Sequence, residues 1–271
     1  MTIPMLPQQP SRTWFRIRVA ILLTVLAFVL LYAWHDRVRR TERVAWERTL
    51  DVAFVVVREG AVSDSAVSAL RAETSSLESA LARQLVRYRT SPARPFSFVW
   101  YGPVDLEAPL PSPPEDGLVG AARHAWQLRN FTTDIDARAK VPSRGFDARL
   151  YLVARPPSRS GFVEGISEHG GRVGVALAEL DESNVPLTLF VAAHELFHTL
   201  GATDRYDANG RTLIPDGLAE PDKVPLYPQL YVEIMARNRP LDAEQQVPPR
   251  SLDELWVGAS TAAEIGWSRV P

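Results

Sequence analysis

One stretch constrains the fold more than any other: Leu187 to Leu200 is apolar on nearly every side, yet it carries two histidines and a glutamate. Pro186 suits the first turn of a helix, Ser183 or Asn184 can cap it, and Gly201 can end it. A helix that is apolar all round has to be enclosed by the rest of the chain. His194 and His198 are then buried, and each needs a polar partner to offset desolvation.

Composition narrows what that partner can be. The 271 residues contain no cysteine, which removes disulfides, thiolate metal ligands and thiol nucleophiles. Any metal must be held by Asp, Glu or one of five histidines, His35, His124, His169, His194 and His198. With 30 basic against 32 acidic side chains there is no bulk basic field, so nucleic acid is not an expected partner. At 46% hydrophobic and 23% charged, the composition is that of a folded chain of one or two domains.

A second apolar run, Val19 to Trp34, is interrupted only by Thr24. Alone it covers about 24 Å of a roughly 30 Å hydrocarbon layer, and it spans once Trp14, Phe15 and Ile17 also enter. Trp14, Tyr32 and Trp34 are the rings expected at the interfaces, with Arg16 and Arg18 snorkelling outward. No small-x-small cleavage pattern follows, so the expectation is residues 1–18 as a tail and 19–34 as an uncleaved anchor.

Behind it, Thr49–Val57 and Phe96–Tyr101 read as strands. Between them Val67, Leu70, Leu77, Leu81, Leu85 and Tyr88 recur at helical spacing. A second helix is predicted from about Gly117 to Asn130 and a third strand over Ala148–Ala154. In Arg172–Leu180, Val173, Val175 and Leu177 share one face, while Gly174, Ala176 and Ala178 leave the other almost bare for something to approach. Arg205–Val232 carries four prolines and is predicted as a long loop. Ser251–Ile265 reads as a helix opened by a capping box of Ser251 and Glu254. Residues 45–271 thus read as one α/β domain, a mixed twisted sheet around a buried helix.

The chemistry lies in His194-Glu195-Leu196-Phe197-His198-Thr199-Leu200-Gly201-Ala202-Thr203-Asp204. Residues four apart share a helix face with Cβ atoms about 5–6 Å apart, so both imidazoles can reach one zinc ion at about 2.0–2.1 Å. Gly201 suits the left-handed residue that reverses the chain and brings Asp204 in from another direction. Two imidazoles and a carboxylate leave one tetrahedral position open for water. Glu195, next to the first ligand, is aimed at that water as a general base. Asp204 also reads as a solvated turn residue, and Glu220 and Glu233 compete with it as third ligand.

This motif resembles the extended zinc signature of the metzincin metallopeptidases, in the snapalysin-type form with Asp in place of a third His. The resemblance covers roughly Ala148 to Ile265. It implies a zincin-like α+β fold and a methionine turn below the metal, for which Glu233-Ile234-Met235-Ala236 stands in the right place. On the plain reading Met235 only fills a core gap. The resemblance further implies that Arg172–Leu180 is a sheet edge along which an extended peptide pairs. Many metzincins place a tyrosine two residues after the methionine; this chain has Arg237, leaving Tyr206, Tyr227, Tyr231 or Arg237 itself as substitutes.

The expectation is a membrane-anchored zinc endopeptidase acting on peptides or proteins. The alternative is a non-catalytic zincin-like membrane protein with structural zinc or a partner-binding role. Cations around the span slightly favour a cytosolic C-terminus, whereas a degradative hydrolase is expected outside the cytoplasm, so orientation stays open. His169 reads as a loop residue. Asp207, Asn209, Asp216, Glu220 and Asp222 are a candidate calcium cluster, although Asp207-Ala-Asn209-Gly210 is also an ordinary turn.

Overall fold

The computed structural model describes residues 12–107, 109–111, 117–158, 163–167 and 170–268. The chain divides into two units, Met1–Glu42 and Arg43–Pro271. In the first, helix α1 (Arg12–Val44) contains the window Trp14–Leu31, with mean hydropathy 2.2 and no buried residue. That window is long and apolar enough to cross a membrane, as an anchor or as a signal sequence does. Its one hydroxyl, that of Thr24, donates back to the Ala20 carbonyl at 2.9 Å and so spends its proton inside the helix.

The second unit runs in the order β1 (Leu50–Arg58), α2 (Asp64–Leu85), β2 (Phe96–Asp105), α3 (Gly117–Ala139), β3 (Ala148–Arg155), β4 (Val163–Ser167), β5 (Val173–Glu179) and α4 (Val185–Leu200). Short pieces follow: β6 (Val232–Glu233), β7 (Arg239–Pro240), β8 (Gln246–Val247), a 3-10 turn at Leu252–Glu254, β9 (Leu255–Trp256) and α5 (Ala259–Glu264). The main sheet has the order β2-β1-β3-β5-β4; all its pairings are parallel except β4 with β5.

Alternation along the strands explains the layers. Val52, Phe54, Val56, Leu150, Leu152, Ala176 and Ala178 face one core shared with α2 and α4. Ala53, Val55, Val57, Tyr151, Val153, Val175 and Leu177 face a second core shared with Leu128, Phe131 and Ile135 of α3. Central parallel strands covered on both faces read as unbroken apolar runs, which is why β1 shows no polar side. The Ser63 hydroxyl caps α2 by accepting from the Ala66 amide at 3.1 Å.

Two expectations need correcting. Strand β5, residues 173–179, is interior, held by β3 on one side and by antiparallel β4 on the other, so the edge on its side of the sheet is β4. Nor is 251–265 one helix. The Ser251 hydroxyl does accept from the Asp253 amide at 3.0 Å, but Glu254 pairs with Arg239 at 3.2 Å and does not close a capping box. Leu255 and Trp256 then pair with Val232 and Glu233 as strands, so the α-helix begins only at Ala259. Helix α3 extends to Ala139, beyond the predicted end. Between α4 and β6 the chain has turns and a single bridge, Tyr206 to Thr212, in keeping with the predicted loop.

Candidate metal centre

Helix α4 is apolar on nearly every side because it is largely enclosed: none of its residues is exposed, and Pro186, Leu187, Val191 and His198 are the partly buried ones. The bare face of β5 receives it: a Cβ on Gly174 would stand 3.1 Å from the carbonyl oxygen of Glu195. Ala176 and Ala178 continue that close seat in the same core. On another side Phe197 meets Phe96 and Trp267, with ring centroids 6.1 and 5.6 Å apart. The helix begins with Pro186 in its first turn and ends at Gly201, whose φ of 99° and ψ of 16° place it in the left-handed region.

That turn does two things. It sends the chain back toward the helix, and it aims the Ala202 carbonyl at Nδ1 of His198, 2.9 Å away. Nδ1 of His194 lies 2.9 Å from the Ile234 carbonyl. A carbonyl only accepts, so both rings carry their proton on Nδ1 and turn the Nε2 lone pair inward. The two Nε2 atoms are 3.1 Å apart, and Oδ1 of Asp204 lies 3.3 Å from that of His194 and 3.2 Å from that of His198. Oε1 of Glu195 is 3.9 Å from the same nitrogen of His194.

The Tyr206 hydroxyl hydrogen-bonds the Asp204 carboxylate, but no donor stands between the two Nε2 atoms and Asp204 Oδ1, three acceptors that converge. A shared cation removes the conflict, either a proton on one ring or a metal ion held by all three. His194, Glu195 and His198 present ligand atoms all within 4.8 Å of one another, a group that could hold a metal. Imidazole nitrogen and carboxylate oxygen are the donors that zinc accepts. The site is not sealed: the Asp204 side chain is 42% exposed, against 11% and 14% for the two histidines.

The electrostatics agree with a site built for positive charge. Burial opposes charge on His194, but the carboxylates of Asp204 and Glu195 and the Ile234 carbonyl outweigh it and hold the ring above its ordinary value. Burial likewise pushes Asp204 up, and the two histidines outweigh it, holding the carboxyl far below the usual range. Tyr206, its ring stacked on His194 with centroids 6.2 Å apart, is pushed up to about 12 by burial and by the Asp204 charge. Of the four substitutes considered for the oxyanion donor, Tyr206 is the one whose ring lies against a site histidine.

The segment around Met235 forms a tight, fully buried turn beside the histidines. Glu233 organises it. One carboxylate oxygen accepts from the amides of Met235 at 2.6 Å and Ala236 at 3.1 Å, and the other accepts from Gly258 at 3.1 Å. Burial raises its pKa, although the Thr261 hydroxyl, the Gly258 and Met235 amides and Arg205 work the other way. Glu233 is therefore directed at backbone and not at the rings, which corrects its reading as a third ligand. Glu220 too is committed elsewhere, to the Leu230 amide at 3.0 Å.

Asp207 accepts from the amides of Asn209 and Arg211 at 2.8 and 2.9 Å, the ordinary turn, while Asp216 accepts from the Ser260 hydroxyl at 3.1 Å. Among the described residues the only group of three or more His, Asp or Glu able to hold a metal is His194, Glu195 and His198. His169 lies outside the described residues. Sequence reasoning missed the two carbonyls that orient the rings and the backbone role of Glu233. It also missed Glu264 of α5, whose carboxylate bonds to Thr203 and Arg205 on either side of Asp204.

No protein-family model matches the chain, and no curated protein does. Among solved structures it overlaps wild-type OgpA from Akkermansia muciniphila, at 14% identity and TM-score 0.33, over 83% of this chain and 63% of that one. A catalytically inactive OgpA in complex with the O-glycopeptide substrate glycodrosocin overlaps at 14% identity and TM-score 0.34, over 83% and 62%. The chain thus spans less than two thirds of the proteins it overlaps. Overlap at this level defines neither fold nor chemistry, and the functional reading rests on the residues themselves.

Proposed function

We propose that this chain is a membrane-anchored, zinc-dependent endopeptidase of metzincin type, with residues 45–271 as a zincin-like catalytic domain. His194, His198 and Asp204 hold the metal, Glu195 is the general base, and Met235 supports the site without ligating. The observation that carries this reading is the convergence of two Nε2 lone pairs and Asp204 Oδ1 within 3.1–3.3 Å of one another, with both Nδ1 atoms facing backbone carbonyls. Bound zinc supplies Lewis acidity, which makes water a nucleophile near neutral pH.

The chain's own residues supply the rest. The Ile234 and Ala202 carbonyls keep each ring in one tautomer and one orientation. Glu195 is buried beside the rings, where its carboxylate takes the proton of the water that adds to a peptide carbonyl and then delivers it to the departing amine. Tyr206 remains a protonated donor at neutral pH, its hydroxyl hydrogen-bonded to Asp204 in the absence of substrate; on this reading it turns to the carbonyl oxygen as negative charge builds there. The exposed flank at Asp204 leaves room for substrate, which favours catalysis over a closed structural site.

The test uses the full-length chain in detergent, with metal analysis and a mixed peptide library assayed with and without chelator. Wild type is expected to carry zinc and to cleave only without chelator. Glu195→Gln keeps zinc and loses turnover by about 10²–10⁴-fold, and His198→Ala loses the zinc. Unimpaired turnover in Glu195→Gln, or full metal occupancy in His198→Ala, overturns the assignment. Zinc-loaded wild type that cleaves nothing leaves the non-catalytic alternative.

A further inference from the structure

The third member of the site is the least supported by packing. Asp204 lies three residues beyond the end of α4, its side chain is 42% exposed, and no helix or strand holds its backbone. Yet its carboxylate stands within 3.3 Å of both rings. Something must fix it there, because ordering a free residue costs about 1–2 kcal/mol of backbone entropy.

We infer that Glu264, at the end of α5, is the residue that positions Asp204. Its carboxylate grips both chain neighbours of Asp204. Oε2 accepts from the Thr203 amide at 2.9 Å, and Oε1 accepts from the Thr203 hydroxyl at 2.8 Å. Oε1 also pairs with the Arg205 guanidinium at 2.7 Å. The Arg205 amide in turn donates to the Met235 carbonyl at 2.8 Å. Asp204 is thereby bracketed: the residue before it is tied to α5 through its amide and hydroxyl, and the residue after it is tied to α5 through its side chain and to the Met235 turn through its backbone.

Glu264 does not touch the rings and is a positioning residue, not a catalytic one. The arrangement gives α5, remote in sequence from the histidines, a part in holding metal. The inference rests on the zinc reading above and deepens it, since it names the residue that holds one of the proposed ligands in place.

The measurement is the zinc dissociation constant of the full-length protein in detergent, by chelator competition, for wild type, Glu264→Ala and Glu264→Gln. Melting temperatures of the three zinc-free proteins accompany it. Glu264→Ala is expected to weaken zinc by about 10–100-fold, the usual cost of losing an outer-shell partner. Glu264→Gln, which keeps an oxygen for Thr203 but not the charge facing Arg205, should fall between. The zinc-free melting temperatures should stay close together, because the clamp orders a ligand and not the core.

Equal zinc affinity in wild type and Glu264→Ala overturns the inference while leaving the zinc reading intact. So does weakened affinity accompanied by an equally large drop in zinc-free stability, which is scaffolding alone. A wild-type chain that takes up no zinc removes the metal reading, and this inference with it.

Discussion

The two halves of the candidate site are held by different physics. His194 and His198 ride on α4, whose buried residues include Leu189, Phe190, Leu196 and Phe197, seated on the sheet and α2. Asp204 and the Met235 turn belong to a stretch of short elements, where Glu233, Glu264, Asp207 and Gln229 satisfy backbone amides and carbonyls with their side chains. Burial is non-directional and scales with area, so a helix seated that way keeps its place with or without a ligand. Hydrogen-bonded clamps are directional and worth about 0.5–1.5 kcal/mol each, so that half depends on every clamp being made. The candidate ligands are thus rigid on one side of the site and tied by polar threads on the other.

The comparison can be broken most forcefully from the helical side. Phe197→Ala empties a fully buried ring site facing Phe96 and Trp267, and should cost about 3–5 kcal/mol in denaturant unfolding. A cost of about 0.5 kcal/mol or less, the level of a surface change, would mean that α4 is not held by its core. With zinc bound as proposed, removing it should act mainly on the other half. With zinc at about 1,000 times its dissociation constant, chelation should remove about 4 kcal/mol. Hydrogen exchange should quicken at Thr203, Arg205 and Ala236 more than in β1 and β3; uniform quickening would deny the distinction.

Smaller changes sharpen it. Glu233→Gln puts an amide where three backbone N–H groups require acceptors, and should cost about 1–3 kcal/mol and weaken zinc as the Ile234 carbonyl loses its place. Unchanged melting would show that the turn holds without its clamp. Gly201→Ala forces a side chain into the left-handed region and should cost about 1–2 kcal/mol, read by melting and by zinc affinity together.

The smallest effect is confined to acid. Burial raises Asp147, but the Arg48 fork at 2.6 Å and the Asp51 amide at 2.9 Å outweigh it and hold the carboxyl below its ordinary value. A depressed native pKa stabilises fully above the unfolded value, about 3.9, and loses that contribution as pH falls further. Asp147→Asn should therefore be less stable at neutral pH and show a shallower acid decline below about pH 4. An acid limb identical to wild type would deny that this carboxylate contributes.

Much of the fold and site was legible because it rests on local rules. The histidine spacing, Pro186, Gly201 and the bare face of β5 each follow from helix or strand geometry, and the structure has α4, its left-handed end and its close seat on Gly174. The misreadings share a cause. Whether β5 is an edge depends on β4, a five-residue strand with no strong pattern of its own. The capping box at Ser251 and Glu254 is a valid local signal, but Arg239 takes the glutamate and β6 takes Leu255 and Trp256. Glu233 and Glu264 act on amides, and a sequence does not say which amides will be near.

What the sequence determined alone was the demand: two imidazoles one helical turn apart, on a surface too apolar to face water, require a buried polar partner. That follows from helical period and the cost of desolvation, which need no knowledge of the rest of the chain. Which carboxylate faces those rings, which carbonyls orient them and which strand closes the sheet were decided only by the tertiary structure. Such contacts join residues far apart in the chain, and their distances emerge from the packing of every element between them.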